Sequence, residues 1–394
     1  MAERLGALGL PRKLLMIQSN GGAISIDEIG HAPVNLVLSG PAAGVGSLKF
    51  FGKDTGSDHL ISIEVGGTSC DVTLIQNGEV SMTDQIVLDG YHLNIPAVDI
   101  HTVGAGGGTI ASVDGAGLLK AGPEGAGSAP GPACYGRGGE RPTVTDAQLV
   151  LGRLKPGPYA GGAITLDLDK AIRAIEAHVA RPLGLNLDDA AAGIIQLVEQ
   201  NILHAVEQAS LEKGYNPRTF TLVAAGGGRP LHGPSTARLL GSPSLYIPRL
   251  AGVFCAFGMC NSDLRHDQMH SWLQDLDGKS VSTFDELERA FEQLQADARE
   301  VLAREDSKAI GRLCGALMIC GTLANNGRLR LNVPQQILQS YARPSRRSIS
   351  VCLATCSSGG NRDRESPSRS NRQARGIRNR SSASSCHRSG AAFA

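Results

Sequence analysis

Between residues 60 and 76 the pattern of apolar and polar positions runs, breaks and resumes. Ile61, Ile63 and Val65 alternate with polar neighbours, Gly66-Gly67-Thr68-Ser69 interrupts, and Val72 and Leu74 continue to a Gln76-Asn77-Gly78 turn signal. The pattern predicts two strands joined by a turn of glycine and hydroxyl residues. A glycine loop of the dinucleotide or P-loop kind opens a helix, whereas a strand follows here. Taken alone, the stretch fits either a phosphate-gripping hairpin or a glycine turn in an ordinary β-meander.

Residues 14 to 150 read as strand-rich and punctuated by glycine. Val34 to Leu38 is expected as a strand, followed by a Ser39-Gly40-Pro41 turn that opens an Ala-rich helix with Pro41 in its first turn. The stretch 103 to 139 is the glycine-richest. Its interspersed apolar residues and Cys134-Tyr135 argue against a flexible linker. After Pro142 the period becomes helical. One amphipathic helix is expected over 168–184, ended by Pro182 and Gly184. A second over 188–214 has Ile194, Val198, Ile202 and Ala205 on one stripe and Gly214 as its stop. Residues 220–241 read strand, glycine turn, helix, and 245–259 a short strand followed by an apolar loop or helix. A further helix begins at Thr283, where Glu286 completes a capping box. The expected fold class is α/β: a mixed sheet with packed helices and a helical insert over about 168–214.

Composition changes this picture mainly at the C-terminus. The chain has 394 residues, enough for a sizeable core, and its 50 glycines are clustered rather than periodic, which excludes collagen. The net charge of +1 divides into −8 for residues 1–342 and +9 for 343–394. An acidic body is unlike a nucleic-acid surface, so no nucleic-acid partner is expected. Residues 1–305 are expected as the core domain, 306–342 as an uncertain remnant and 343–394 as a disordered basic tail. A frame-shifted coding segment in GC-rich DNA would give the same Arg, Ser, Gly and Ala bias. The nine cysteines show no CxxC spacing, and no apolar run approaches the length of a membrane span. Reduced thiols, a cytoplasmic location and no membrane partner are the expectations.

A second glycine turn, Ala225-Gly226-Gly227-Gly228-Arg229-Pro230-Leu231-His232, joins a strand to a helix. The two turns together suit ATPases of the actin, sugar-kinase and chaperone superfamily. There, backbone N–H groups of a hairpin grip phosphates and a later glycine turn lies against the nucleoside. The resemblance then narrows. MIQSNGG (16–22), LSGPAAGV (38–45), EVGGTSCDV (64–72), DIHTVGAGGGTIA (99–111), PGPACYGRGG (130–139), PTVTDAQLVLGRL (142–154), GGGRPLHG (226–233), PRLAGVFCAFGM (248–259) and SDLRHD (262–267) follow in the order of the hydantoinase A / 5-oxoprolinase family.

That resemblance implies ATP-dependent opening of a cyclic amide such as 5-oxoproline or a hydantoin, or a role as a ketone-carboxylase subunit, with ATP and Mg²⁺ as cofactors. It also implies a hydantoinase B-like partner and an oligomer. Gly66, Gly67, Thr68 and Ser69 would hold phosphate, Gly226, Gly227 and Gly228 would lie near the adenosine, and Asp71 would orient a nucleophile or the metal's water shell.

Two residues depart from the family pattern: Glu64 stands where Asp is usual, and Arg229 follows the glycines in place of a small residue. The other Asp-x-Gly-Gly-Thr hairpin of the family, which lies upstream, has no counterpart in this chain. The expectation is an N-terminally truncated chain, weakly active or inactive alone; a non-catalytic half-ATPase subunit is the alternative. Asp99 and His101, with His92, Cys134 and Asp146, are candidate metal ligands by residue type, against a reading as hydrogen-bonded structural polar residues. Cys70, beside the hairpin turn, reads as redox-sensitive or as a small buried residue.

Overall fold

The computed structural model describes residues 2–9, 14–88, 90–273, 281–305, 311–320 and 350–359. Met1–Gly360 forms one compact unit, and a second, Asn361–Ala394, lies outside the described residues. The 60–76 pattern is a hairpin of β1 (Leu60–Val65) and β2 (Cys70–Gln76), with Glu64 opposite Asp71 and Val65 opposite Cys70. Strand β3 (Ile100–Val103) joins β2 antiparallel. Strand β4 (Thr221–Ala225) joins β1 parallel, and β5 (Leu245–Tyr246) joins β4 parallel. The sheet is therefore mixed, as expected, in the order β3-β2-β1-β4-β5, with Glu79–Val80 added on β2.

Alternation along β1 and β2 sorts side chains onto two covered faces. Ile61, Ile63, Val65, Val72 and Leu74 pack with α2 (Val144–Val150) and the long α4 (Leu187–Ser210). The stripe Ile194, Val198, Ile202 and Ala205 is fully buried there, and Gly214 ends the helical run at φ +83. A one-carboxamide cap starts α4: Asn186 Oδ1 accepts the Asp189 N–H at 2.8 Å. The helix expected over 168–184 begins as α3 (Leu168–Ile175). It widens into a π turn at Glu176–Ala180 and closes at Gly184, φ +65. The opposite face carries Leu60, Ile75, Val223 and Ala225 against α1 (Gly44–Thr55) and α6 (Phe254–Met259). Phe51 stacks on Phe257 there, at 5.1 Å between centroids.

One expected strand is absent. Pro33–Leu36 is a 3₁₀ turn, because Pro33 opens it and the carbonyls of Asn35 and Val37 are taken by Ser19, at 2.8 and 2.6 Å from its hydroxyl, instead of by a ladder. Leu38 then turns at φ +57 into the short Ser39–Ala42 helix and α1. The glycine-rich 103–139 stretch is folded: Thr109–Val113 pairs with Leu119–Gly125, and Cys134 is buried in a 3₁₀ turn. Helix Val281–Glu305 is present, though the side chain of Thr283 and its capping box lie outside those described. Within the stretch expected as a tail, Ser350–Gly359 is a strand between Arg265–Leu273 and Gly311–Cys320; residues 360–394 lie outside the described residues.

Candidate functional site

The sheet's directions place the site. Strand β4 is parallel to β1, and β3, antiparallel to β2, runs in the same direction as β1. The turns that follow β1, β3 and β4 therefore leave from one edge. All three are glycine-rich: Gly66–Ser69, Gly104–Gly108 and Gly226–Gly228.

Their packing needs glycine in two places. A Cβ on Gly106 would stand 2.6 Å from both the carbonyl carbon and the nitrogen of Thr68. One on Gly226, which adopts φ +83, would stand 2.3 Å from Val65 O. Both turns thus press on the hairpin. The Gly107 N–H donates to Gly66 O at 3.0 Å and the Gly108 N–H to Gly67 O at 2.7 Å. On the other side Gly228 N–H donates to Val65 O at 3.0 Å. Thr145, at the start of α2, holds Gly107 O through its N–H at 2.8 Å and its hydroxyl at 2.7 Å.

Pinning those carbonyls orients the hairpin tip. In a trans peptide the C=O and the following N–H point in opposite directions. With Gly66 O and Gly67 O drawn toward the 104–108 loop, the N–H groups of Gly67 and Thr68 face away from it. Among the described residues none accepts a hydrogen bond from the N–H of Gly67, Thr68 or Ser69. Gly67 and Thr68 are exposed, and a Cβ on Gly67 would meet nothing within 4 Å. Successive outward N–H groups of this kind form an anion-binding concavity.

One row of residues crosses the sheet just below the tip: Thr102, Asp71, Glu64 and Ala225 are successive partners on β3, β2, β1 and β4. Asp71 and Glu64 thus stand side by side on the face covered by α1 and α6. Thr102 Oγ1 donates to Asp71 Oδ1 at 2.6 Å, and Cys255 Sγ lies 3.0 and 3.1 Å from the two oxygens of Glu64. Burial pushes the Asp71 carboxyl above the usual range despite the Thr102 bond. Glu64 is raised by burial, opposed by the Cys255 bond and reinforced by the Asp71 charge. Two adjacent half-buried carboxylates of raised pKa hold charge that a cation would relieve.

The expected site residues fall into groups. Gly66, Gly67, Thr68, Ser69 and Asp71 share the hairpin, and Gly226 to Gly228 wrap its base. Asp99 and His101 go elsewhere. Asp99 is ion-paired to Lys213 and accepts from Ser81 at 3.1 Å, while His101, one residue before Thr102, points to the opposite face from Asp71. Asp146 is structural: wholly buried, it accepts the N–H groups of Cys134 at 2.7 Å and Thr143 at 2.8 Å. His92 is exposed beside Gln85. Among the described residues no group of three or more His, Cys, Asp or Glu is placed to hold a metal directly. Cys70 is fully buried, its thiol raised by burial and the two neighbouring carboxylates, which makes it a packing residue. The side chain of Arg229 lies outside those described.

Residues without an assigned role in the sequence reading complete the site: the Gly104–Gly108 loop, Thr102, Thr145 and Cys255. The loop was visible as a glycine cluster, but its target depends on strand direction. Cys255 carries no local signal.

A family model described as hydantoinase/oxoprolinase matches residues 3–268. The caprolactamase subunit alpha of Pseudomonas jessenii is 39% identical over 297 residues, covering 74% of this chain and 42% of that protein. The acetophenone carboxylase gamma subunit of Aromatoleum aromaticum is 38% identical over 268 residues, covering 67% of this chain and 36% of that protein. This chain thus spans less than half the length of these curated relatives. Among solved structures, the ATP-dependent caprolactamase from Pseudomonas jessenii superposes with a TM-score of 0.74 at 31% identity, covering 91% of this chain and 55% of that one.

Proposed function

We propose, from the premise that the chain belongs to the hydantoinase/oxoprolinase family, that it carries one jaw of a Mg²⁺-nucleotide site serving ATP-dependent opening of a cyclic amide. The observation that carries the reading is the hairpin tip, where pinned carbonyls turn the N–H groups of Gly67 and Thr68 outward. Those groups, with the hydroxyls of Thr68 and Ser69, would receive phosphate oxygens. Glu64 and Asp71 would hold the hydrated Mg²⁺, which supplies neutralisation of phosphate charge when bound. The Gly226–Gly228 turn would accept the nucleoside, with α5 (Arg229–Leu240) adding the partial positive charge of its N-terminus.

The reaction such a site serves begins with a poor electrophile. Transfer of the terminal phosphoryl group of ATP to the amide oxygen, with ADP leaving, turns that oxygen into part of a leaving group. Water then attacks the carbon, the C–N bond breaks and phosphate departs. The ring could be a lactam, 5-oxoproline or a hydantoin; in a carboxylase the same transfer would activate a ketone enolate or bicarbonate. A soluble assembly with a hydantoinase B-like subunit is part of the proposal. A second reading, a non-catalytic nucleotide-binding subunit, draws on the tip of the cradle standing in open space at Gly67.

Calorimetric titration of the chain with MgATP tests the proposal, beside Gly67→Arg. Because a Cβ there meets no described atom within 4 Å, the arginine covers the outward N–H groups while the hairpin backbone stays in place. Binding by wild type and its loss in the variant support the reading. A folded wild-type chain that releases no heat, or equal binding by both, refutes it. Release of ADP dependent on a cyclic amide then separates the catalytic from the non-catalytic reading.

A further inference from the structure

We propose that Cys255 is a positioning residue for Glu64: its thiol holds the glutamate carboxylate in the orientation the cation-nucleotide site uses. The inference rests on the nucleotide reading of the hairpin. It explains how a glutamate serves at a position where the resemblance leads one to expect the shorter aspartate.

Cys255 lies in the first turn of α6, and Sγ stands 3.0 Å from Oε1 and 3.1 Å from Oε2 of Glu64. A thiol has one proton, so the near-equal distances describe a single S–H donor shared between both oxygens. Such a bond fixes the plane of the carboxylate as well as its distance. Glutamate has one more rotatable bond than aspartate, and a donor at its end removes that freedom.

The pair is enclosed on its other side. A Cβ at Gly44 would stand 3.3 Å from Glu64 Oε2 and 3.4 Å from Cys255 Sγ, so the start of α1 packs closely on both side chains. The arrangement mirrors its neighbour in the row: Asp71 is held by the hydroxyl of Thr102, and Glu64 by the thiol of Cys255. Each carboxylate of the pair has one donor from a flanking element. The donors restrain the two carboxylates side by side in spite of their mutual repulsion.

The test uses the full chain as wild type, Cys255→Ala, Cys255→Ser and each of these with Glu64→Ala, read by MgATP calorimetry and by infrared spectroscopy of the S–H stretch in ligand-free protein. Loss of a hydrogen bond to a charged group predicts about ten-fold weaker MgATP binding for Cys255→Ala. Cys255→Ser, which keeps a donor, is expected within about three-fold of wild type. In the Glu64→Ala background Cys255→Ala should have no further effect. The wild-type-minus-Cys255→Ala difference spectrum should contain a low-frequency S–H band that moves to the free-thiol position in Glu64→Ala. Unchanged affinity in Cys255→Ala, or the same loss with and without Glu64, overturns the proposal. If wild type binds no MgATP, the nucleotide reading fails separately. The infrared band then decides: a shifted band that depends on Glu64 sustains the hold, and a free-thiol band insensitive to Glu64→Ala overturns it.

Discussion

Substituting Gly106 by alanine tests the architecture of the cradle directly. The new methyl group would begin 2.6 Å from Thr68 C and N and 2.7 Å from Gly67 C, all backbone atoms. Ordinary carbon contacts lie at about 3.5–4.0 Å, so the two turns must part by about 1 Å. That separation breaks the Gly107–Gly66 and Gly108–Gly67 bonds, now 3.0 and 2.7 Å, in a region where Gly106 and Gly108 are buried. Two buried backbone bonds lost at about 1–2 kcal/mol each give a destabilisation of about 2–4 kcal/mol. Functionally the effect is larger than the stability loss, because the freed carbonyls no longer fix the N–H groups of Gly67 and Thr68. Urea unfolding gives the first quantity and MgATP calorimetry the second. Gly67→Ala, with open space around it, serves as the control and should leave the urea midpoint unchanged. A Gly106→Ala protein as stable as wild type, with undiminished MgATP affinity, would refute the claim that the 104–108 loop orients the tip.

Three further outcomes follow from the same structure. Asp146→Ala strands the N–H groups of Cys134 and Thr143, both buried, and should lower the unfolding free energy by about 3–5 kcal/mol in urea. Asp71→Asn and Glu64→Gln should stabilise the ligand-free protein at neutral pH while weakening its Mg²⁺-dependent nucleotide affinity. Both carboxyls are raised by burial, so what they contribute to stability is present below the ordinary carboxylate range and lost as pH rises through their folded values; a lower urea midpoint for either variant at neutral pH would contradict this. Glu199 has the opposite sign. Burial works against its charge, but His232, Ser235 and Arg153 hold its pKa below the usual range, so its contribution is present above that range and lost as pH falls. Glu199→Gln should cost about 1–3 kcal/mol at neutral pH and flatten the acid limb of the stability profile, checked by urea titrations across pH.

Much of the fold was legible because its signals are local. The 60–76 hairpin, the stripe of α4 and the strand–turn–helix around Gly226 each announce themselves by period and punctuation. Val34–Leu38 misled because its apolar run has the composition of a strand. Its carbonyls are claimed by Ser19, a partner well outside any local window. Asp99 and His101 suggested a metal site by residue type alone, yet the ion pair of Asp99 comes from Lys213, in the 3₁₀ turn that follows α4. The role of Cys255 was illegible for the same reason: its partner is set by how α6 packs on the sheet, across 191 residues of chain.

The glycine turns show where local signal ends and topology begins. Each cluster could be read as a tight turn, and two of them as phosphate and nucleoside loops. Their convergence depends on three strands sharing one direction, and that direction arises from pairing: β3 on β2, β2 on β1 and β4 on β1. Once the turns leave one edge, the need for glycine becomes steric rather than conformational at Gly106, where no positive φ is involved and only a side chain is excluded. Gly226 meets both demands, with φ +83 and a Cβ position 2.3 Å from Val65 O. The outer turns thus wedge the middle one, which presents the N–H groups of Gly67 and Thr68 to solvent. The direction of the peptide groups at the tip follows from the sheet's topology: Gly66–Ser69 contains no lysine, and the polarity of its peptide groups is set by which neighbours hold their carbonyls.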